Sequence, residues 1–293
     1  MKKFIARYLP LAYGKLFNVW VLIDPTGAAK KSFDVFCTIR KGRILPKQAP
    51  YLDAAKLERI SAAGHEIQTY HWPGNGPTIL LMHGWESNTF RWRNLIQKLQ
   101  EHDFSIYAFD APGHGYSSGK RLHVPLYAEV TRVILDRYRP DHAVAHSVGG
   151  MTIHYTHFLD PESTLKRIVT VGAPCEFEQF MEHYQALLGF NDRVRAAMNK
   201  RLKEWLGFYF NEFSCARFVL KNTKEGLLFH DEDDLQVPVG ASIKVHEHWK
   251  GSQLVLTKGL GHSMHQPAVN DQIVSFLQGS FKTQNETAPL KAI

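Results

Sequence analysis

From residue 66 onward the chain alternates short apolar runs with longer runs that carry apolar residues at helical spacing. The short runs include "PTILLMHG", "FSIYAFDAPGHG", "HAVAHS" and "LKRIVTVGAP", and amphipathic runs such as "TFRWRNLIQKLQEH" separate them. Alternation of this kind predicts an α/β fold with a mostly parallel central sheet and helices on both faces. Such sheets bind ligands at the carboxyl ends of their strands, so functional residues are expected directly after the strands.

The alternating pattern breaks once, between residues 175 and 224. This stretch carries apolar residues at helical spacing with basic residues between them, and no run in it is typical of a strand. It predicts a helical cap inserted after the sixth strand of a core formed by residues 61–174 and 225–284. Because an insertion at that edge packs over the strand ends, we expect aromatic side chains of the cap, Trp205 and Phe208 among them, to line a substrate pocket.

The first 60 residues form a basic segment outside the alternating pattern. Residues 1–47 contain ten lysines and arginines and only two acids, which supplies much of the formal net charge of +7. The opening run has two lysines before an apolar stretch, as a signal peptide does, but Arg7 and Lys15 interrupt it and "LFNVWVLI" is too short to span a bilayer. We expect an amphipathic segment that packs on the body of the protein or makes weak contact with a membrane surface.

Composition places the chain among globular proteins and excludes several classes of function. Hydrophobic residues make up 44% and charged residues 22% of the 293 residues. No zinc-finger, RNP or helix-turn-helix signature accompanies the basic residues, so we expect no nucleic-acid partner. Cys37, Cys175 and Cys215 lie far apart without a C-x-x-C pair, which indicates neither a disulfide framework nor a zinc site. These features favour a reducing, cytoplasmic location, with peripheral membrane contact as an alternative, and leave the oligomeric state open.

The stretch "HAVAHSVGG" places a serine at the junction between a predicted strand and a predicted helix. Residues 143–145 are typical of a buried strand, and a helical pattern starts directly after Ser147. A turn this sharp holds its central residue in a strained conformation and needs small residues two positions away, here Ala145 and Gly149. The serine is therefore a candidate nucleophile. An ordinary serine at a helix N-cap is the alternative.

Later strand ends supply partners for Ser147. A run of acids, "HDEDD", follows one strand, and His262 in "GLGHS" follows the next. A serine hydroxyl becomes nucleophilic when a neighbouring imidazole removes its proton, and a carboxylate behind the imidazole fixes its tautomer. The loop "HGWE" after an earlier strand can bring the backbone N–H of Trp85 towards that of Val148, which predicts an oxyanion hole.

The motifs "HGW", "FDAPGHGYSSG", "AHSVGG", "HDEDDLQVP" and "GLGHS" occur in this order from about residue 66 to the end of the chain. In this set and order the chain resembles the α/β-hydrolase-fold serine hydrolases of esterase or lipase type. The resemblance implies the fold of that family, a triad of Ser147, His262 and Asp234, and no metal or cofactor. Asp234 follows from the family's "H-G-x-x-D" turn, although Asp231 stands where the family usually has glycine.

Other acids and histidines near these motifs have alternative interpretations. The remaining acids of the "HDEDD" turn are interpreted as solvated, with Asp231 leaving the register of the turn ambiguous. Some serine hydrolases take their acid after the sixth strand, where Glu176 and Glu178 lie. His83 and His114 are expected to shape their loops through hydrogen bonds. The histidine before the serine, at position 146, is interpreted as a packing residue.

The leading hypothesis for function is hydrolysis of a small-molecule carboxylic ester through an acyl-enzyme intermediate. A thioesterase, an aminopeptidase, a lipase or a carbon–carbon bond hydrolase would use the same triad, and the fold does not separate them. A catalytically silent binding module on the same fold is an alternative of another class, although no triad member is lost. A third is a membrane-associated protein whose amino-terminal segment carries the main function.

Overall fold

One sheet of nine strands forms the centre of the fold. A computed structural model gives the structure of residues 2–281, 290 and 291, and the strands in these ranges lie in the order β1-β2-β4-β3-β5-β6-β7-β8-β9. Their bounds are Lys56–Ala62 (β1), His65–Trp72 (β2), Thr78–Met82 (β3), Ser105–Phe109 (β4), His142–His146 (β5), Arg167–Val171 (β6), Glu225–Asp231 (β7), Ser252–Lys258 (β8) and Leu290–Lys291 (β9).

Two pairings at one edge of the sheet are antiparallel and the others are parallel. β1 pairs antiparallel with β2 and β2 with β4, whereas each neighbouring pair from β4 to β9 is parallel. β5 lies inside the sheet and is buried along its whole length, as a strand covered on both faces must be. The predicted α/β class with a mostly parallel sheet is confirmed. The carboxyl ends of β3 and β5 to β8 lie at the same end of the sheet.

Eleven α-helices accompany the sheet within the residues that the structure describes. Their bounds are Lys2–Trp20 (α1), Pro25–Phe36 (α2), Ala49–Asp53 (α3), Arg93–Glu101 (α4), Val124–Tyr138 (α5), Val148–Leu159 (α6), Phe177–Leu188 (α7), Asp192–Leu206 (α8), Cys215–Phe218 (α9), Gly240–His248 (α10) and Pro267–Leu277 (α11), with short 3-10 helices at Thr89–Trp92 and Phe210–Glu212. Among the helices in the described part of the chain, none is long and apolar enough to cross a membrane.

Strand β1 is absent from the predicted pattern. Its sequence, "KLERISA", carries three charged residues in seven, and only Ile60 and Ala62 are buried. A charged strand of this kind is typical of a sheet edge, where the backbone is paired on one side only. The apolar signal used to recognise the interior strands is therefore too weak here.

The chain divides into two compact units. One, the helical unit, contains residues Met1–Thr38 and Glu176–Ser214, and the other, the α/β unit, contains residues Ile39–Cys175 and Cys215–Ile293. The segment predicted as 1–60 is therefore divided after Thr38, and the segment predicted as a cap, 175–224, is divided after Ser214. Helices α1, α2, α7 and α8 contribute to the helical unit, and the whole sheet belongs to the α/β unit.

Aromatic and aliphatic side chains fill the core of the helical unit. Phe17 from α1, Ala28 and Ala29 from α2, and Val194 from α8 are completely buried in it. The Tyr184 hydroxyl of α7 donates a hydrogen bond to the Ser32 carbonyl oxygen of α2, 2.9 Å away. The amino-terminal helices are therefore joined to the inserted helices by core packing rather than by a chain connection alone.

Candidate active site

Ser147 occupies a strained turn between β5 and α6. Its backbone has φ 53° and ψ −125°, a conformation that L-residues rarely adopt outside functional turns. The turn lies very close to the end of β3, because a Cβ atom at Gly149 would be 2.7 Å from the His83 carbonyl oxygen and 3.0 Å from that of Met82. Glycine at position 149 therefore permits this turn. Helix α6 starts at Val148, directly after Ser147.

His262 links Ser147 to an acid. Its Nε2 atom is 3.0 Å from the Ser147 Oγ atom, and its Nδ1 atom is 2.7 Å from Oδ2 of Asp234. The three residues come from the ends of three different strands, β5, β8 and β7. The structure thus brings together the serine, histidine and acid that the sequence nominates. In such a line the imidazole can accept a proton from the serine while the carboxylate holds its opposite nitrogen.

Two backbone N–H groups orient the Asp234 carboxylate, and a buried histidine lies beside it. Its Oδ1 atom accepts hydrogen bonds from the backbone N–H groups of Gln236 and Val237, at 2.8 and 3.0 Å. The buried His230 ring lies with Nε2 3.5 Å from Oδ2, and burial lowers the pKa of His230, which keeps this ring neutral. The backbone contacts occupy one oxygen, which leaves Oδ2 directed at His262. His230 stands outside the sequence-based set of site residues.

Asp231 is buried rather than solvated as the sequence suggested, and its partners differ from those of Asp234. Its Oδ2 atom accepts hydrogen bonds from the Thr257 hydroxyl at 2.7 Å and the Leu260 backbone N–H at 2.9 Å. Burial raises the pKa of Asp231, but these hydrogen bonds and others from backbone N–H groups outweigh burial, and the pKa is lowered. The carboxylate is therefore charged and holds the loop that leads from β8 to His262.

The loop after β3 lies against the serine turn. A Cβ atom at Gly84 would be 2.9 Å from the Ser147 Cβ atom and 2.8 Å from Nδ1 of His146, so no larger residue fits there. Trp85, the predicted oxyanion residue, follows directly and packs edge-on against the His114 ring at 6.3 Å. Val148, its predicted partner, is the first residue of α6, where backbone N–H groups have no acceptor within the helix.

Two buried histidines fix the shape of this loop. His83 Nε2 accepts the Ala111 backbone N–H at 3.0 Å, and its Nδ1 atom donates to the Gly84 carbonyl oxygen at 2.8 Å. His114 Nε2 likewise accepts the Glu86 N–H at 3.0 Å. Because one ring nitrogen of each accepts, each ring is neutral, and burial lowers the pKa of His83 to about 4 and that of His114 to about 3.

A third buried histidine, His146, bridges two loops at the same edge. Its Nδ1 atom is 2.7 Å from an Nη1 atom of Arg91, and its Nε2 atom is 3.0 Å from the His262 carbonyl oxygen. Arginine only donates, so Nδ1 accepts and Nε2–H donates to the carbonyl of His262. Arg91 also donates to the Ser263 carbonyl oxygen at 3.3 Å. Sequence analysis missed Arg91 and interpreted His146 as packing alone, although its position beside the serine was the available signal.

The remaining predicted residues lie in the helical unit. Trp205 packs edge-on against Phe33, with ring centroids 5.8 Å apart, and Phe208 packs against Phe213 at 5.4 Å. The Ser214 hydroxyl donates to a Glu176 oxygen at 2.9 Å. The second alternative acid, at position 178, forms an ion pair with an arginine of α8. Within the described ranges, no group of three His, Cys, Asp or Glu side chains could hold a metal ion.

Solved structures share the fold of this chain. A structure of Est1E from Butyrivibrio proteoclasticus with ferulic acid bound has a TM-score of 0.62 and 19% identity, covering 76% of this chain and 98% of that one. A structure of a putative lipase from Acinetobacter baumannii has a TM-score of 0.62 and 16% identity, covering 80% of this chain and 94% of that one. At these identities the likeness establishes the fold alone.

Sequence relatives are esterases by name. A pimeloyl-[acyl-carrier protein] methyl ester esterase of Vibrio vulnificus is 26% identical over 175 residues, which cover 57% of this chain and 66% of that enzyme, just under two thirds. The enzyme of that name from Nitrosomonas europaea is 24% identical over 65% of this chain and 90% of its own length. A family model for the alpha/beta hydrolase fold matches residues 77–203. With the sheet order and the solved structures, these matches show that the chain has an α/β-hydrolase fold.

Proposed function

We propose that this chain hydrolyses a small-molecule carboxylic ester through an acyl-enzyme intermediate on Ser147. One observation carries the proposal: the His262 imidazole lies 3.0 Å from the Ser147 hydroxyl on one side and 2.7 Å from the Asp234 carboxylate on the other. Both are hydrogen-bond distances. The first suits transfer of the serine proton to Nε2, and the second lets the carboxylate accept the Nδ1–H hydrogen bond and fix the tautomer of the ring. The strained backbone at Ser147 supports the same role, because it presents the hydroxyl on a turn rather than within the strand.

Each half of the reaction uses the same proton carrier. In acylation the Ser147 Oγ atom attacks the ester carbonyl carbon as His262 Nε2 takes the hydroxyl proton, and the tetrahedral intermediate collapses as that proton passes to the leaving alcohol. In deacylation His262 takes a proton from water, the resulting hydroxide attacks the acyl carbon, and the proton returns to Ser147 Oγ. The net change is one ester and one water converted to an acid and an alcohol.

The oxyanion of each tetrahedral intermediate needs preorganised donors. We assign these to the backbone N–H groups of Val148 and Trp85. The start of α6 at Val148 and the close approach of Gly84 to the Ser147 Cβ atom support the assignment. The helix N-terminus adds a favourable field for negative charge. Such donors typically contribute about 10²- to 10³-fold in rate each.

The names of the relatives favour an ester over the other substrates of this triad. The Vibrio vulnificus and Nitrosomonas europaea enzymes are named as methyl ester esterases. Four other activities use the same catalytic groups: thioesterase, aminopeptidase, lipase and carbon–carbon bond hydrolase. They rank below ester hydrolysis only because the relatives are named as ester hydrolases. A catalytically silent binding module ranks last, since all three triad positions carry the required residues. The apolar cap residues Trp205 and Phe208 are proposed to contact the substrate.

The decisive experiment is labelling of the purified chain with a fluorophosphonate. We expect one labelled serine, Ser147, and we expect Ser147→Ala to abolish labelling and to lower kcat for p-nitrophenyl esters by about 10⁶-fold. Ser263→Ala, which changes an exposed serine next to His262, is the matched control and should label and turn over like the unaltered chain. Full labelling of Ser147→Ala would refute the nucleophile assignment.

Substrate class is tested separately on the unaltered chain. Matched acyl esters, acyl thioesters and aminoacyl amides are compared by kcat/KM. We expect the esters to give the highest values. If labelling succeeds while an aminoacyl amide is the best substrate, the chemistry proposed for Ser147 stands and the ester assignment is wrong.

A further inference from the structure

The first helix of the helical unit presents an unusual apolar surface. Seven of the seventeen exposed large hydrophobic side chains in the described part of the chain fall within residues 8–23. We call six of them the α1 apolar face: Leu9, Leu11, Leu16 and Val19 of α1, and Leu22 and Ile23 of the turn that follows it. Their exposure ranges from 40% for Leu11 to 82% for Ile23. Single exposed leucines are ordinary, but clusters of this density mark a surface that binds something apolar.

The spacing of these residues puts them on one side of the helix. Leu9 and Leu16 are seven residues apart and Val19 lies three positions after Leu16, so these three form one stripe along α1. Leu22 and Ile23 follow in the turn after Trp20. The opposite side is fixed within the helical unit, where Phe17 is completely buried. A Cβ atom at Gly14 would lie 1.8 Å from the Leu188 carbonyl oxygen, which shows how closely α1 approaches α7.

The charges of this segment identify the partner. Residues 1–23 contain Lys2, Lys3, Arg7 and Lys15 and no acid. Lys15 is exposed and lies four residues from both Leu11 and Val19, where its alkyl stem can lie along the apolar face with the ammonium group in water. An apolar face with basic residues beside it is the combination that lies in the interface of a negatively charged bilayer.

We propose that the α1 apolar face rests on the surface of an anionic lipid bilayer. The face inserts its leucine, valine and isoleucine side chains below the headgroups, and the net positive charge of residues 1–23 attracts the negative lipids. This surface is distinct from Ser147 and its partners, which belong to the α/β unit. The chain then works as a peripheral enzyme whose helical unit holds it at the membrane.

A second copy of this chain fits the face less well. A two-fold dimer would bring the same patch of both copies together. Each copy contributes four cations and no acid over residues 1–23, so a symmetric contact places like charges beside one another. A bilayer that carries negative lipids has the complementary charge. Electrostatic complementarity therefore selects the lipid surface over self-association.

Vesicle flotation of the full chain tests the proposal. We expect binding to vesicles of phosphatidylcholine with phosphatidylglycerol, at least tenfold weaker binding to phosphatidylcholine alone, and release in 1 M salt, because salt screens the charge attraction. The double variant Leu16→Gln with Val19→Gln should lower the partition coefficient on anionic vesicles at least tenfold. The double variant Leu57→Gln with Val133→Gln, two exposed apolar residues of the α/β unit, should change it less than twofold.

Three outcomes would overturn the inference. The first is no binding to anionic vesicles at any lipid concentration, and the second is equal binding to neutral and anionic vesicles. The third is a dimer in light scattering that Leu16→Gln with Val19→Gln converts to a monomer, which would assign the face to a second copy. Circular dichroism and thermal unfolding, measured for every variant, show whether each is folded, whether or not the chain hydrolyses esters.

Discussion

The two units of this protein differ most in what they bury. Of the twenty-four buried polar or charged residues in the described part of the chain, only Ser32 and Ser214 belong to the helical unit. The α/β unit holds the other members, including the candidate acid Asp234 and seven buried histidines. Burying a polar group costs free energy unless a partner is present. The α/β unit accepts that cost at many positions, and the helical unit at only two.

The two units are therefore expected to have different roles: polar contacts in the α/β unit hold catalytic groups in place, and apolar contacts dominate the helical unit. In the α/β unit each strand end carries groups that fix one another: Asp234 holds His262, and His146 holds the backbone of His262. In the helical unit contacts such as Phe36 with Tyr184, at 5.1 Å, are apolar and adaptable. Substitutions in the first unit should therefore change chemistry or stability, and substitutions in the second should change which apolar partner is preferred.

After the loss of Ser147 itself, the largest effect on kcat is expected from the acid that contacts His262. Asp234→Asn should lower kcat about 10⁴-fold, because an amide cannot hold the imidazole in the tautomer that accepts the serine proton. Asp231→Asn should lower kcat less than tenfold and lower Tm by several degrees, because it weakens the hydrogen bonds from Thr257 and Leu260. Steady-state kinetics and calorimetry of both variants separate the roles. A larger loss of kcat in Asp231→Asn would reverse the assignment.

These two acids also show what sequence alone can and cannot predict. The order of serine, acid and histidine after successive strands predicts which turns meet, because parallel strands end at one edge. Within the turn, residues 231–234 are all acidic, and composition does not distinguish them. Their partners are set by the turn's hydrogen bonds, which direct Asp234 at His262 and Asp231 at Thr257.

The composition of the helical unit and the contacts of Arg91 could not be predicted from the sequence. The helical spacing of the inserted segment predicts helices, but not that α1 and α2 join it, since long-range packing leaves no local signal. Arg91 lies in an ordinary amphipathic run, and its contact with His146 joins positions 55 residues apart. The strained turn at Ser147 was predictable because its requirement for small neighbours is local.

Acidification should destabilise the α/β unit through its buried neutral histidines. Burial lowers the pKa of His83 to about 4 and that of His154 to about 3, against 6.5 for an ordinary histidine. Between pH 6.5 and pH 4 the unfolded chain binds more protons than the folded chain. The free energy of unfolding is therefore fully present above pH 6.5 and falls as the pH approaches 4. For His83 the difference corresponds to about 3 kcal/mol. We expect Tm to fall steeply over this range.

His154 offers a direct check of that linkage. Neither of its ring nitrogens has a hydrogen-bond partner among the described residues, and its ring packs edge-on against Trp249 at 5.3 Å. His154→Leu should therefore reduce the number of protons taken up on unfolding by about one, so the free energy of unfolding falls less steeply on acidification. Stability at pH 8 should be equal or higher. Urea unfolding at pH 5 and pH 8 measures both quantities. An unchanged pH dependence in His154→Leu would contradict the assignment.

A smaller effect on kcat is expected at His146, which contacts both Arg91 and the His262 carbonyl oxygen. His146→Ala should lower kcat about 10- to 100-fold with KM within twofold, because His262 loses the donor that fixes its backbone. His146→Gln places an amide donor near the position of Nε2 and should recover much of this loss, whereas His146→Asn, which mimics Nδ1, should not. His71→Ala, which removes a histidine stacked on Tyr107 in the same unit, is the control. Equal kinetics for Gln and Asn would show that the Nε2 contact is unimportant.

The smallest effect belongs to the helical unit, at Trp205 and Phe208. Trp205 is 52% exposed despite its contact with Phe33, so cutting it to alanine removes apolar surface without leaving a buried polar group. Each methylene that loses its contact costs about 0.8 kcal/mol, close to fourfold in kcat/KM. Trp205→Ala or Phe208→Ala should therefore lower kcat/KM for longer p-nitrophenyl esters and spare the acetate, whereas Leu187→Ala, also on an exposed position, should leave the profile unchanged. A uniform loss at every chain length would mean that these residues act on the chemical step, and the division of work between the two units would fail.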